Sequence, residues 1–272
     1  MSVEPTMDAD SLRLLERTLR TAMTAAVGAD LDAALGELGW RDMLIEMPET
    51  ATRVVFQSLG ETGSHASVLN DVVAHEAGRA DLDAAPAVPL PFAGGSWVIW
   101  QRTAAPSTAI GGDIPVQRVG SGQPVPLAAG RRALGWWLTG TSRAMLALAR
   151  RHALDRTQFG KPIAAFQAVR HRLAETLVAI EGAEAALATA GERPDELCSL
   201  LGKAAAGDAA LVTARHCQQV LGGVGFTAEH DLHVHVERVL LLDGMLGSTR
   251  ELTREAGAAA RAAGAAPRLV DL

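Results

Sequence analysis

Apolar residues recur at steps of three and four along most of this chain, which is the spacing of helices that bury one face. Leu12, Leu15, Leu19 and Met23 form one such run, and Leu31, Leu35 and Leu38 form another that stops at Gly39, so residues 8–80 are predicted to hold short helices. The period returns after residue 127, where Leu134, Leu138, Met145, Ala149 and Ala153 share a face until Gly160 and Pro162 interrupt it. A second long helix is predicted over residues 163–190, with Phe166, Val169, Leu173, Leu177, Ile180, Ala183 and Leu187 on one stripe. A third starts near Pro194 and runs through Leu197, Leu201, Leu211 and Val220 to a stop at Gly222 and Gly223. A fourth, rich in alanine, is expected from about Ser248. Long helices joined by short breaks describe an antiparallel bundle.

Between these helical regions the period fails. Prolines at 86, 89, 91, 106, 115, 124 and 126 forbid a long helix over residues 81–126, and only SWVIWQR (96–102) and IPVQRV (114–119) have the β-branched and aromatic content of strands. Two strands are too few for a large independent sheet. The expected fold class is therefore mainly α, divided into a helical N-terminal domain (1–80), a much reduced β region or linker (81–126) and a C-terminal four-helix-bundle domain (127–272).

Composition narrows the function classes. The chain has 272 residues, 48% of them apolar, enough for a substantial core. Its net charge of −6 leaves no broad basic surface, which argues against a nucleic-acid partner. Cys198 and Cys217 are too far apart in sequence for a metal knuckle or redox pair, and both are expected as reduced thiols on buried helix faces. The first twenty residues carry acids early and lack a long apolar run, so they read as neither a secretory signal nor a membrane span, and a cytoplasmic location is the default expectation. His230, His233 and His235 crowd together, but no cysteine is near and the second and third fall on different sides of a helix, so no metal site is expected. His152 and His171 read as ordinary helix residues.

Two segments carry chemistry. RTQFGKPIAAFQ (156–167) joins two amphipathic helices through an Arg, a Gly and a Pro, and by physical pattern alone is a helix corner. QVLGGVGFTAEHDLH (219–233) places paired glycines after a helix, where they serve equally well as a helix cap. GVGFTA also fits a loose dinucleotide pattern, but it follows a helix and no strand–helix units surround it, so a Rossmann reading fails. In this order, the two segments resemble the acyl-CoA dehydrogenase family: the first its corner between the first two helices of the C-terminal bundle, the second its Gln-x-x-Gly-Gly-x-Gly-Phe segment. The resemblance is clear over residues 127–247 and weaker over residues 30–80.

In that family both segments reach across a subunit interface to FAD held mainly by the neighbouring chain. The resemblance implies flavin contacts from Arg156, Gln158, Phe159, Gln167, Gln219, Gly222 and Gly223. Such residue types suit that role, because a guanidinium forks onto a pyrophosphate, glutamines donate and accept, and glycines admit close backbone approach. The family also needs a carboxylate base beside the flavin. Its glutamate comes either shortly after the glycine-rich segment or from the start of the first bundle helix, and ungapped counting puts these places at Gly247 and Gly130. Neither is a carboxylate. Asp243 and Glu251 are close enough in sequence to substitute; otherwise they are solvated helix-end charges. The β region is also too short for the family's own flavin platform.

The retained and missing parts imply a subunit of a heteromeric FAD-dependent acyl-CoA dehydrogenase, which desaturates an acyl-CoA thioester at the α,β position. The expected partner is a full-length paralogue, in a heterotetramer sharing FAD, resembling the unlike-subunit members of bacterial steroid breakdown. An autonomous reduced enzyme using Asp243 or Glu251 and a non-enzymatic assembly protein are the alternatives.

Overall fold

The computed structural model describes residues 4, 7–79, 87–101 and 114–264. Parts of the expected β region, and the tail beyond residue 264, lie outside the described residues. Ten helices and five short strands are present among them, so the protein is mainly helical.

The N-terminal layer comprises α1 (Ala9–Ala25), α2 (Ala29–Glu37), α3 (Trp40–Glu46), α4 (Pro48–Thr62) and α5 (Leu69–Glu76). Helix α1 is capped by Asp8, whose carboxylate accepts the backbone N–H groups of Asp10 and Ser11, and it buries Leu19 and Met23. The bundle follows with α6 (Ala128–Asp155), α7 (Gln167–Glu192), α8 (Glu196–Leu221), α9 (Leu232–Gly244) and α10 (Thr249–Ala263). Leu134, Leu138, Met145, Ala149 and Ala153 are all fully buried, so the stripe predicted for the first long helix is its core face.

Helix α6 is the axis of the molecule, lying against α4 on one side and against α7 and α8 on the other. Its contact with α4 is made possible by two glycines. A Cβ on Gly60 would strike the backbone of α6 near Trp137 and Thr141, and one on Gly140 would strike the backbone of Gln57, so the two helices cross almost backbone to backbone. Trp137 fills the space beside this crossing, edge-on to Phe56 at 5.7 Å and stacked on Trp100 at 5.4 Å. One continuous apolar core thus takes side chains from the N-terminal helices, the sheet and the bundle.

Four details differ from expectation. Strand β1 (Pro89–Phe92) joins β2 (Ser96–Trp100) and β3 (Val116–Val119) in an antiparallel sheet with β2 central. The prolines that disguised β1 are tolerated because it is an edge strand. The second long helix begins at Gln167 rather than 163, because Ile163–Ala165 forms a 3-10 turn, and Leu177 of its stripe is exposed. The third begins at Glu196, capped by the Asp195 carboxylate, with Pro194 outside it. Helix α9, over the histidine-rich segment, is a further bundle helix beyond the four expected.

Both cysteines are free; Cys217 is buried, and burial pushes its thiol up to about 12, whereas Cys198 is only half-buried. Helix α8 with the turn after it (Glu196–Phe226) is apolar enough to cross a membrane by length and composition alone, but most of it is buried inside the protein.

Candidate functional site: the hairpin end of the bundle

The predicted corner between α6 and α7 folds as a small hairpin. Strands β4 (Thr157–Gln158) and β5 (Lys161–Pro162) pair through a two-residue turn, Phe159 and Gly160. Both turn residues have positive φ, 52° and 77°, as a tight hairpin matching the right-handed twist of its strands requires. Glycine adopts this at no cost; phenylalanine does not, so the Phe159 backbone is strained. Its side chain is 91% exposed. Arg156, Gln158 and Gln167 are exposed as well.

The second segment sits at the same end. Helices α7 and α8 run antiparallel, and the Thr176 hydroxyl meets His216 Nδ1 at 2.9 Å, which places the C-terminus of α8 beside the N-terminus of α7. The same threonine hydroxyl lies 2.8 Å from Arg172 O. Gln219 is exposed on the last turn of α8. Gly222 ends the helix with φ +66°, and open space lies where a Cβ on Gly222 or Gly223 would project. A helix cap explains Gly222. Gly223 has negative φ and no crowding neighbour, so nothing within the chain requires a glycine there.

The electrostatics of this end differ from the rest of an acidic chain. Between residues 150 and 172 stand six Arg and Lys side chains, all exposed, against one carboxylate, Asp155. His152, one turn before Arg156, is held below the usual histidine value by burial first and then by His230 and Arg156. Cations outnumber acids along this stretch, which favours an anionic ligand. A guanidinium, three glutamines, an exposed ring and glycines facing open space fit one edge of a phosphate-bearing dinucleotide. They do not make a whole flavin site: the described sheet has three strands of four or five residues each.

Of the two positions to which counting assigns the missing base, Gly130 is buried and Gly247 is half-buried. A Cβ on Gly130 would come 2.8 Å from Leu246 Cδ1, and Leu246 immediately precedes Gly247. Leu246, Leu69 and Val73 are buried around Gly130. The substitutes are committed elsewhere. Asp243 accepts from the backbone N–H of Thr249 at 3.0 Å and from its hydroxyl. Glu251 closes the capping box of α10 with Ser248 and accepts the N–H of Gly94 at 2.9 Å; the hydrogen bonds from Ser248 and Gly94 hold its carboxyl below the usual range. The structure therefore places the segments carrying the seven assigned residues at one end of the bundle, and Asp243 and Glu251 on either side of the α9–α10 loop as structural acceptors.

Two residues at this buried junction escaped the sequence reading. Lys203 is a fully buried ammonium in α8, and Leu246 is a fully buried leucine with φ +56°. A lone lysine inside the apolar run LLGKAAAG was the signal available for the first; nothing marked the second. Among the described residues no cluster of histidine, cysteine or carboxylate groups could hold a metal.

The model of the acyl-CoA dehydrogenase C-terminal domain family matches residues 125–266. FadE34, an acyl-CoA dehydrogenase of Mycobacterium tuberculosis, is 36% identical over 167 residues, covering 59% of this chain and 22% of its own length. IpdE2 of the same organism is 36% identical over 115 residues, 42% of this chain and 36% of that protein. The chain thus spans well under half the length of these relatives. Among solved structures, the Tcur3481-Tcur3483 steroid acyl-CoA dehydrogenase superposes with a TM-score of 0.75 at 17% identity, covering 94% of this chain and 99% of that one. The ChsE4-ChsE5 complex of M. tuberculosis gives 0.66 at 16%, covering 96% and 99%; at such identities the likeness is one of fold. With the family model matched over more than half of its residues, the chain belongs to the acyl-CoA dehydrogenase family.

Proposed function

We propose that this chain is a subunit of an FAD-dependent acyl-CoA dehydrogenase that lends one edge of a flavin site to a partner subunit and supplies no catalytic base of its own. One observation carries the reading. The residues that the family resemblance assigns to flavin contact stand at one end of the bundle, all exposed except the half-buried Gly222, whereas both assigned base positions are glycines. Gly130 is buried among Leu246, Val73 and Leu69, and the half-buried Gly247 has positive φ and Leu252 where a Cβ would project. Two solved structures of like fold, the Tcur3481-Tcur3483 and ChsE4-ChsE5 assemblies, are named for two different chains, and the first is a steroid enzyme. They support a heteromer with a full-length paralogue, arranged as a heterotetramer, and a bulky acyl-CoA as its substrate.

In this reading Arg156 forks onto the pyrophosphate, with its charge permanent across the working pH range. Gln158, Gln167 and Gln219 present neutral donors and acceptors to phosphate, ribose or adenine. Phe159 covers a ring, and Gly222 and Gly223 let the backbone approach without side-chain obstruction. When bound, FAD supplies the hydride acceptor for α,β-desaturation of the thioester. The partner provides the carboxylate that takes the α-proton. An autonomous enzyme is disfavoured because Asp243 and Glu251 are consumed by the α9–α10 junction.

Co-expression with a full-length paralogue, followed by purification through a tag on this chain, tests the proposal. A yellow, active complex supports it. A yellow, active lone chain overturns it, and a stable colourless chain that recruits no partner points to lost redox function.

A further inference from the structure

Residues 245–248, between α9 and α10, are held from several sides. The Leu246 N–H donates to Pro91 O at 2.8 Å, tying the segment to β1. The Leu246 carbonyl accepts Arg131 Nε from α6 at 3.2 Å. The Lys203 ammonium from α8 donates to Gly247 O at 2.6 Å and to Asp243 O at 3.0 Å. The Ser248 N–H donates to the Glu251 carboxylate at 2.9 Å. A fully buried ammonium is costly unless its protons are taken, and here two main-chain carbonyls take two of them. What the restraints maintain is unfavourable by itself, since Leu246 is a non-glycine residue in the left-handed region.

This conformation places the Leu246 side chain over Gly130. A Cβ there would lie 2.8 Å from Leu246 Cδ1 and 3.1 Å from Val73 Cγ2, tighter than side chains tolerate without displacement. Gly247 is blocked independently: its φ is +98°, and a Cβ would lie 2.8 Å from Leu252 Cδ2.

We propose that Leu246 is a built-in plug, held by Lys203 and Arg131, which closes this chain's own base position by packing. The identification of Gly130 and Gly247 as base positions rests on the proposed function; the plug itself is a claim about packing. Any side chain at residue 130 must displace Leu246, and any at residue 247 must displace Leu252 and adopt a strained backbone. Restoring a glutamate at either place therefore does not restore a working base.

The test uses the isolated full chain, so it involves neither flavin nor partner, and its failure is separable from failure of the subunit reading. Thermal unfolding is measured for Gly130→Ala, Leu246→Ala and the double variant. Each single change is expected to lower Tm, one by overpacking and one by opening a cavity. In the double variant the new methyl enters the vacated space, so the loss is smaller than the sum by about 2–4 °C. Additive losses overturn the plug. For the clamp, hydrogen exchange is followed in Lys203→Met: the Leu246 amide is expected to exchange at least about tenfold faster while the middle of α6 keeps its protection. Unchanged exchange at Leu246 overturns the role of Lys203. If Lys203→Met does not fold, Arg131→Met, which removes the donor to Leu246 O, is read in the same way.

Discussion

Phe159, at the tip of the hairpin, stands edge-on to Phe166 with ring centroids 6.1 Å apart, while Lys161 lies 4.6 Å above the second ring. The contact orients the hairpin but leaves Phe159 almost wholly exposed in a strained conformation, the mark of a residue kept for something outside its own chain. Replacing it by asparagine, which tolerates positive φ, is expected to leave the isolated chain as stable or up to about 1 kcal/mol more stable. The same change should lower the flavin content of the complex. Urea unfolding of the chain and flavin absorbance of the complex read the two effects separately.

Helices α4 and α6 depend on their glycine crossing. Gly140→Ala puts a methyl into the Gln57 backbone, which no rotamer change relieves, and the cost is expected at or above the roughly 1–3 kcal/mol typical of overpacking. Chemical denaturation checks it. Gly182→Ala, on an exposed position of α7 with open space around it, is the control and should be neutral or stabilising.

His235 gives a pH prediction. It lies half-buried beside Arg238, and desolvation first, then that cation, lowers its value from 6.5 to about 4. The folded state therefore holds it neutral while the unfolded state takes up a proton. Stability is full above the unfolded value and is lost as pH falls through about 4, by up to about 3 kcal/mol. His235→Gln should flatten the stability profile between pH 6.5 and 4 relative to the parent. Parallel profiles would remove His235 as the cause.

The buried Arg132 guanidinium pairs with the half-buried Glu49, joining α6 to the start of α4, and also donates to Ser199 at 2.7 Å. Glu49→Ala leaves the buried guanidinium with Ser199 alone and, because Glu49 is itself partly solvated, is expected to cost less than the roughly 3–5 kcal/mol of a fully buried pair, measured by urea unfolding. Replacing Arg132 together with Glu49 by apolar residues should recover much of that loss.

The long helices were legible because burial of one face writes a period into the sequence; Leu134, Leu138 and Met145 are core for that reason. β1 was hidden because Pro89 and Pro91 suppress strand propensity, and an edge position that excuses them is visible only in the sheet. Helix α9 was obscured by histidines between its apolar positions. At the hairpin end, the motif named the residues but not the turn, since a phenylalanine at positive φ goes against local preference. The closure around Leu246 was illegible because it is made of main-chain carbonyls reached by Lys203 and Arg131, and such bonds leave no pattern in sequence spacing.

The subunit reading turns on Arg156. In a complex purified through this chain with a full-length partner, Arg156→Ala should leave the two chains associated in the same ratio while bound flavin is lost and dehydrogenation ceases. Flavin retained at the parental level in that variant complex would contradict the account.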